Sequence, residues 1–340
     1  MKSYKNSILL LTIIILFSFA LSGCWPFRVA TENIGRALTE EPKRVYKIKD
    51  PVKDSVKLAV LWGGHSTSLV QIYDKVVILD PVFEDIITTV MLRNTECGLD
   101  INAVNKLDAI LVSHAHMDHL SFYSLDKLAD LFPGTPLVFP KGVENYIPSF
   151  DLDFTRINTS NSPVSHYIGE TKIINGIKIT AVFAEHFGGR YGLDSYLWNV
   201  PGCTGYIIQY KDVTVFYAGD TSYDSIAFKE IGKKFKIDMA LIPVGPCRDC
   251  DIEGSFSHIA SRGALMVFED LKADKMIPVH FGAFTYFNDP YYPADELKRI
   301  SNREDSMLDS ILQQRASPEI VRYYRDRVVY LKEGEQYIER

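Results

Sequence analysis

Three of the chain's eight histidines fall within six residues, in the run His114-Ala115-His116-Met117-Asp118-His119. Imidazoles this close repel one another when protonated and fill a core poorly when neutral, whereas imidazole and carboxylate are good ligands for zinc and related divalent ions. The run follows the apolar segment Leu107 to Ser113 and ends just before helical spacing begins at Phe122. A loop leaving a strand can aim His114 and His116 one way. Asp118 and His119, where the helix starts, can then aim at a neighbouring position. That arrangement suits two adjacent cations better than one.

Other candidate ligands share one placement. His186 follows an apolar run ending at Phe183, Asp220 one ending at Ala218, and His280 one ending at Val279. Strand ends on one edge of a sheet can converge, and open α/β sheets build their sites there. The count closes with His114, His116 and His186 on one ion, Asp118, His119 and His280 on the other, and Asp220 bridging. Each ion then has four protein ligands and room for a shared water or hydroxide.

The elements that must position these groups are legible as strand-like runs mixed with helical ones. Val56 to Trp62, Ser68 to Tyr73 and Val76 to Leu79 read as strands. Thr171 to Ile174 and Ile177 to Phe183 flank Asn175-Gly176, a hairpin signal because both turn positions want positive φ. Gly205 to Tyr210 and Val213 to Ala218 flank Lys211-Asp212 as a second hairpin. Met239 to Val244 and Lys275 to Val279 read as buried strands, and Phe122 to Phe132, His258 to Leu271 and Ala294 to Leu312 as helices. Hairpins alternating with helices predict an α/β sandwich with mixed sheets.

The chain has 340 residues, 46% hydrophobic and 24% charged, with net charge -6, so nothing in it favours nucleic-acid binding. Lys2 and Lys5, the apolar run Ile8 to Ala20 and Leu21-Ser22-Gly23-Cys24 make an export signal. The run is short for a spanning helix. The last four residues resemble a bacterial lipobox, which implies a signal peptide over 1–23 and a lipidated Cys24. An uncleaved anchor helix is the alternative, and both place the rest outside the cytoplasm. Residues 24–55, with Pro26, Pro42 and Pro51 and little periodicity, read as the lipidated cysteine and a tether. Residues 56–340 form one domain. Cys97, Cys203, Cys247 and Cys250 permit disulfides but fix none.

The H-x-H-x-D-H run with its outlying ligands resembles the metallo-β-lactamase superfamily over roughly Leu58 to Phe287. Several pieces are similar to the branch related to N-acyl-phosphatidylethanolamine-hydrolysing phospholipase D: Trp62-Gly-Gly-His65-Ser66-Thr67, Asp80-Pro81-Val82-Phe83, Ala218-Gly219-Asp220-Thr221, Ile277-Pro278-Val279-His280-Phe281-Gly282, and the tract around Arg190, Asp194, Leu197 and Trp198. The resemblance implies an αββα sandwich of two mixed sheets flanked by helices. It also implies a binuclear hydrolase, with zinc the default and manganese or iron as alternatives, in which hydroxide attacks a phosphodiester or acyl centre. The expected substrate is a phospholipid-like phosphodiester; a lactonase or amidase, and a metal-binding lipoprotein without turnover, are the alternatives.

In that frame Asp118 holds a metal and handles the nucleophile's proton. His258 contacts substrate or protonates the leaving group, unless it merely caps its helix. Asp80 lies at the floor of the site. His65 either hydrogen-bonds a ligand or is a structural histidine in a glycine turn. Arg190 reads a phosphate with its fork or forms a surface ion pair. Phe187, Tyr191, Trp198, Phe281, Phe284 and Tyr286 either line a pocket or fill the core.

Overall fold

The computed structural model describes residues 25–87, 91–159, 167–191, 194, 202–246, 257–285, 289–302, 324 and 326–340. Cys24 and the export signal, His166, Leu197, Trp198, Cys247, Cys250, Tyr286 and the end of the expected helix beyond Asn302 lie outside the described residues.

Described elements run in chain order as α1 (Trp25–Thr39), β1 (Leu58–Gly64), β2 (Thr67–Ile72), β3 (Lys75–Leu79), β4 (Ile86–Ile87), β5 (Met91–Leu92), β6 (Ala109–Leu111), α2 (Phe122–Leu131), β7 (Pro136–Pro140) and β8 (Asp153–Ile157). There follow β9 (Ile168–Ile174), β10 (Ile177–Val182), β11 (Gly205–Tyr210), β12 (Val213–Tyr217), α3 (Ser225–Lys234), β13 (Met239–Pro243), α4 (Ser261–Leu271), β14 (Lys275–Val279), α5 (Tyr292–Ser301) and β15 (Gln336–Glu339). One sheet has the order β15-β1-β2-β3-β6-β7-β8 and the other β14-β13-β12-β11-β10-β9. Both are mixed. An antiparallel meander, β1 to β3 or β9 to β12, continues into parallel strands, β6 to β8 or β13 and β14.

Strand alternation shows the layering. Leu58, Val60 and Trp62 of β1, Val77 and Leu79 of β3, and Leu111 of β6 point into the core between the sheets. Leu61, Val76, Ile78 and Ile110 point the other way and pack with Leu125 and Leu128 of α2. Both faces of the first sheet are therefore apolar, which is why its strands read as unbroken runs. Phe228 and Ile231 of α3, with Leu265, Phe268 and Leu271 of α4, cover the second sheet. The result is helix, sheet, sheet, helix.

Asn175 and Gly176 sit at φ 50° and 84°, as the hairpin signal requires. Two expectations change. Residues 25–55 are not a free spacer: α1 forms, and the chain after it docks. Asn33 is buried and its Nδ2 donates to the Thr285 carbonyl at 3.1 Å; the Val45 amide donates to Glu96, and Gln71 clamps Lys53. The inner face of α1 is held by polar bonds, so no apolar period marks it. The second change is that α4 begins at Ser261 with Ala260 at its cap, so His258 lies ahead of the helix and does not cap it. No helix among the described residues is long and apolar enough to cross a membrane.

Gly35 sits inside α1 with open space where a Cβ would go. Gly35→Ala is expected to stabilise the helix by about 0.5–1 kcal/mol, because glycine loses more backbone freedom on ordering. Slower amide exchange in α1 is the readout; unchanged or faster exchange would contradict this account of the helix.

Candidate metal centre

All the candidate groups lie at one edge of the two sheets. Asp80 follows β3, Ser113 to His119 follow β6, His186 follows β10, Asp220 follows β12 and His280 follows β14. His65 stands in the turn between β1 and β2. Because β3, β6, β12 and β14 lie in parallel pairings, their carboxyl ends share an edge.

Asp80 is the floor of the site. Its Oδ1 accepts from the Ser113 amide at 2.7 Å, and its Oδ2 accepts from Ser113 Oγ at 2.5 Å, His119 Nδ1 at 2.6 Å and Tyr217 Oη at 2.5 Å. Since Ser113 Oγ spends its proton on Asp80, His114 Nδ1, 2.9 Å away, is the donor to that oxygen. His186 Nδ1 donates to the Ser257 carbonyl at 2.7 Å and His280 Nδ1 to the Gly245 carbonyl at 3.1 Å. These partners fix the tautomers of His114, His186 and His280, whose Nε2 lone pairs turn inward, and the orientation of His119, whose Nε2 also points inward. Ser113, Tyr217 and the carbonyls of Gly245 and Ser257 carry no signal of this kind in the sequence.

Two groups of inward atoms result. His114, His116 and His186 form one; His116 Nδ1 lies 2.9 Å from His114 Nε2 and 3.0 Å from His186 Nε2. Asp118, His119, His280 and His65 form the other. Asp220 Oδ2 stands between them, 3.2 Å from His119 Nε2, 3.1 Å from His280 Nε2, 3.8 Å from His186 Nε2 and 3.9 Å from His114 Nε2. His65 Nε2 contacts Asp118 Oδ2 at 3.0 Å, so it steadies that carboxylate and also belongs to the second group. His258 Nδ1 lies 3.7 Å from Asp220 Oδ2.

Elementary electrostatics shows that the centre fits cations. Three neutral imidazole lone pairs facing one another at hydrogen-bond distance repel, and one shared proton cannot satisfy them all. Asp220 is buried, has no Lys or Arg within 4 Å among the described residues, and its Oδ1 accepts from nothing there. A buried carboxylate so placed requires positive charge. The His and Asp clusters are thus able to bind metal.

Titration behaviour follows from burial. It is the main cause that lowers His114, His186 and His258, and it takes His65 and His116 down to about 3. For Asp118 and Asp220, burial pushes upward, but His119 and the other imidazoles reverse it and hold both far below the ordinary carboxylate range. His119 is the exception among the histidines. Burial opposes its charge, yet Asp220, Asp118 and Asp80 lift it well above the usual value.

Arg190, expected to read a phosphate or form a surface ion pair, engages the backbone of the histidine loop. Its Nη1 donates to the Ala115 and Leu120 carbonyls, both at 2.8 Å, and its guanidinium lies 4.1 Å over Phe122. It braces the histidine loop from behind, and Asp194, which accepts from the Arg190 and Tyr191 amides, shapes the turn that delivers it. Phe187 is half exposed and packs its ring 4.5 Å from His116 and 4.4 Å from His186. Phe281 and Phe284 are core residues, the former against Trp62. Cys97 and Cys203 are free thiols.

A family model for the beta-lactamase superfamily domain matches residues 75–281. The chain belongs to the metallo-β-lactamase superfamily. It is 27% identical over 267 residues to N-acyl-phosphatidylethanolamine-hydrolyzing phospholipase D 1 of Caenorhabditis elegans, covering 74% of this chain and 72% of that one. It is 29% identical over 245 residues to a metal-dependent hydrolase of Sulfurisphaera tokodaii, covering 71% and 91%. Among solved structures, a metallo hydrolase of Ignicoccus hospitalis superposes with TM-score 0.54 at 17% identity, covering 83% of this chain and 98% of that one, which shows the shared fold. This superfamily member is a metal-dependent hydrolase.

Two measurements probe this geometry. The unfolded metal-free chain binds protons near pH 6.5 that His65 and His116 refuse until about 3, so each costs stability as pH falls through that window. The lowered His114, His186 and His258 act in the same direction, and the depressed Asp118 and Asp220 lose their contribution at still lower pH. The raised His119 opposes this, stabilising below 6.5. Thermal scans in chelator should show Tm falling from pH 7 to 5; a flat or rising profile would refute the neutral-imidazole picture. Separately, Arg190→Met leaves two carbonyls without donors and should cost about 2 kcal/mol together with metal content. A raised KM with stability and metal content intact would instead put Arg190 on the substrate.

Proposed function

We propose that the chain is a two-metal phosphodiesterase acting on phospholipid-like substrates, lipid-anchored through Cys24 outside the cytoplasm. One observation carries the two-metal reading: Asp220 Oδ2 lies within 4 Å of the inward nitrogens of both histidine groups. His114, His116 and His186 would hold one ion, Asp118, His119 and His280 the other, and Asp220 both. Zinc suits this nitrogen-rich donor set, with manganese or iron as alternatives. Such a pair supplies a nucleophile at neutral pH and neutralises charge in an in-line displacement.

The chain's own groups divide the remaining work. Asp118 and His258 keep 16% and 19% of their side-chain surface, against 2% or less for His119, His186, Asp220 and His280. Those two are therefore accessible to a substrate. His258 is neutral at pH 7, so it serves as a hydrogen-bond partner to the substrate's leaving side. Asp118, steadied at Oδ2 by His65, would hold an ion and orient the nucleophile's proton. The aromatic wall at Phe187 offers an apolar surface to an acyl-bearing substrate. The likeness to the nematode phospholipase D supports the phosphodiester over the acyl centre.

The test is metal content alongside hydrolysis of bis(p-nitrophenyl) phosphate. About two ions per chain are expected, and Asp220→Ala should lose metal and at least about 100-fold in kcat. His258→Ala should keep its metal and lose about 10- to 100-fold. Two metals without diesterase turnover would move the assignment to lactones or amides, and no bound metal would remove it.

A further inference from the structure

The helix α1 has two faces of different chemistry. Its inner face is polar and holds the loop that leaves His280. Asn33 Nδ2 donates to the Thr285 carbonyl, Arg36 Nη1 donates to Thr285 Oγ1 at 2.9 Å, and Arg36 Nη2 donates to Asn94 Oδ1 at 2.7 Å. Asn94 Nδ2 in turn donates to the Gly282 carbonyl at 2.7 Å. The outer face is apolar and uncovered: Ile34 is 42% exposed and Leu38, one turn on, 80%.

We infer that α1 lies on the bilayer with Ile34 and Leu38 in the interface, docking the domain on an anionic lipid surface beside its metal centre. This rests on the lipid-anchored reading above. Two observations single out the bilayer as the occupant. The helix begins at Trp25, directly after Cys24 and the apolar run Ile8 to Ala20, so any anchor in that stretch delivers α1 to the membrane surface. Charge agrees as well. Residues 25–57 carry eight Lys and Arg against five Asp and Glu, in a chain whose net charge is -6, with Arg44, Lys47 and Lys57 paired to Asp85, Glu96 and Asp212 of the body. A basic, amphipathic segment next to an anchor is the composition that lies in an interface, where aliphatic burial and attraction to anionic lipid add. The inner face then fixes the distance from bilayer to metal centre, because it is bonded to Gly282 and Thr285.

The experiment uses the full chain reconstituted in vesicles of phosphatidylethanolamine and phosphatidylglycerol, with amide hydrogen exchange as readout. In the wild type, α1 should exchange about tenfold more slowly than in an Ile34→Glu, Leu38→Glu variant, while α3 is unchanged. Replacing phosphatidylglycerol by phosphatidylcholine should also speed exchange in α1. Ile173→Glu, which alters an exposed isoleucine elsewhere, should do nothing. Exchange over 281–285 shows whether the inner face stays docked; if the Glu pair releases it, Ile34→Gln with Leu38→Gln replaces that variant. Equal exchange in wild type and variant overturns the inference. So does protection accompanied by cross-links between chains, which would make a second copy the occupant. None of these readouts uses turnover, so failure of the diesterase reading and failure of the docking reading are seen separately.

Discussion

Everything at the metal centre hangs on the carboxylate of Asp80. Wholly buried, it collects the Ser113 amide and hydroxyl, the His119 imidazole and the Tyr217 phenol. Asp80 and Ser113 follow strands of the first sheet, whereas Tyr217 ends β12 of the second. One anion therefore sets the separation of the two sheets at their functional edge. Four donors compensate a desolvation that would otherwise expel the charge. Through Ser113 the same group also sets the tautomer of His114, so both halves of the cluster are aimed from one point. Burial and the carboxylate push the Tyr217 hydroxyl well above its ordinary range, so it remains a donor at any working pH.

Among the described residues, three of the seven non-glycine residues at positive φ lie at the same edge. His65, Asp80 and His280 have φ of 54°, 39° and 65°, where side-chain-bearing residues seldom sit. Each costs on the order of 1 kcal/mol or more and persists because its surroundings over-determine it. Gly219, at φ 62°, has no alternative: a Cβ there would stand 2.7 Å from Ser113 Cβ. Its bareness lets the strand carrying Asp220 approach the strand carrying the histidine loop. The close-packed sandwich core supplies the stiffness that holds these conformations.

The parts legible in the sequence are those whose signal is local. His114, His116, Asp118 and His119 are read from spacing over six residues, and the strands from apolar runs bounded by turn residues. The groups that aim them were silent, because Ser113 and Tyr217 belong to common residue types and Gly245 and Ser257 act through backbone carbonyls. The backbone contacts of Arg190 are silent for a related reason. Its residue type suggests an anion, but only the fold shows its Nη1 donating to the Ala115 and Leu120 carbonyls. Helix α1 escaped because Asn33 and Arg36 dock it with hydrogen bonds, and periodicity detects apolar faces that pack, not polar ones.

Charge balance links the two ends of the argument. Asp80, Asp118 and Asp220 bring three carboxylates into one buried cluster in which burial keeps His114, His116, His186 and His258 neutral at pH 7. Without cations the centre is negative and would repel an anionic ester. With two divalent ions in the proposed sites, and His119 then deprotonated as a ligand, the three carboxylates and a shared hydroxide would be balanced to about zero net charge. Such a centre would no longer repel an anionic ester, and its cations would stabilise a transition state that adds charge. The phosphodiester proposed above is an ester of that kind. A basic stretch at residues 25–57 repeats this preference on a larger scale, because the surface that would attract the domain is also anionic.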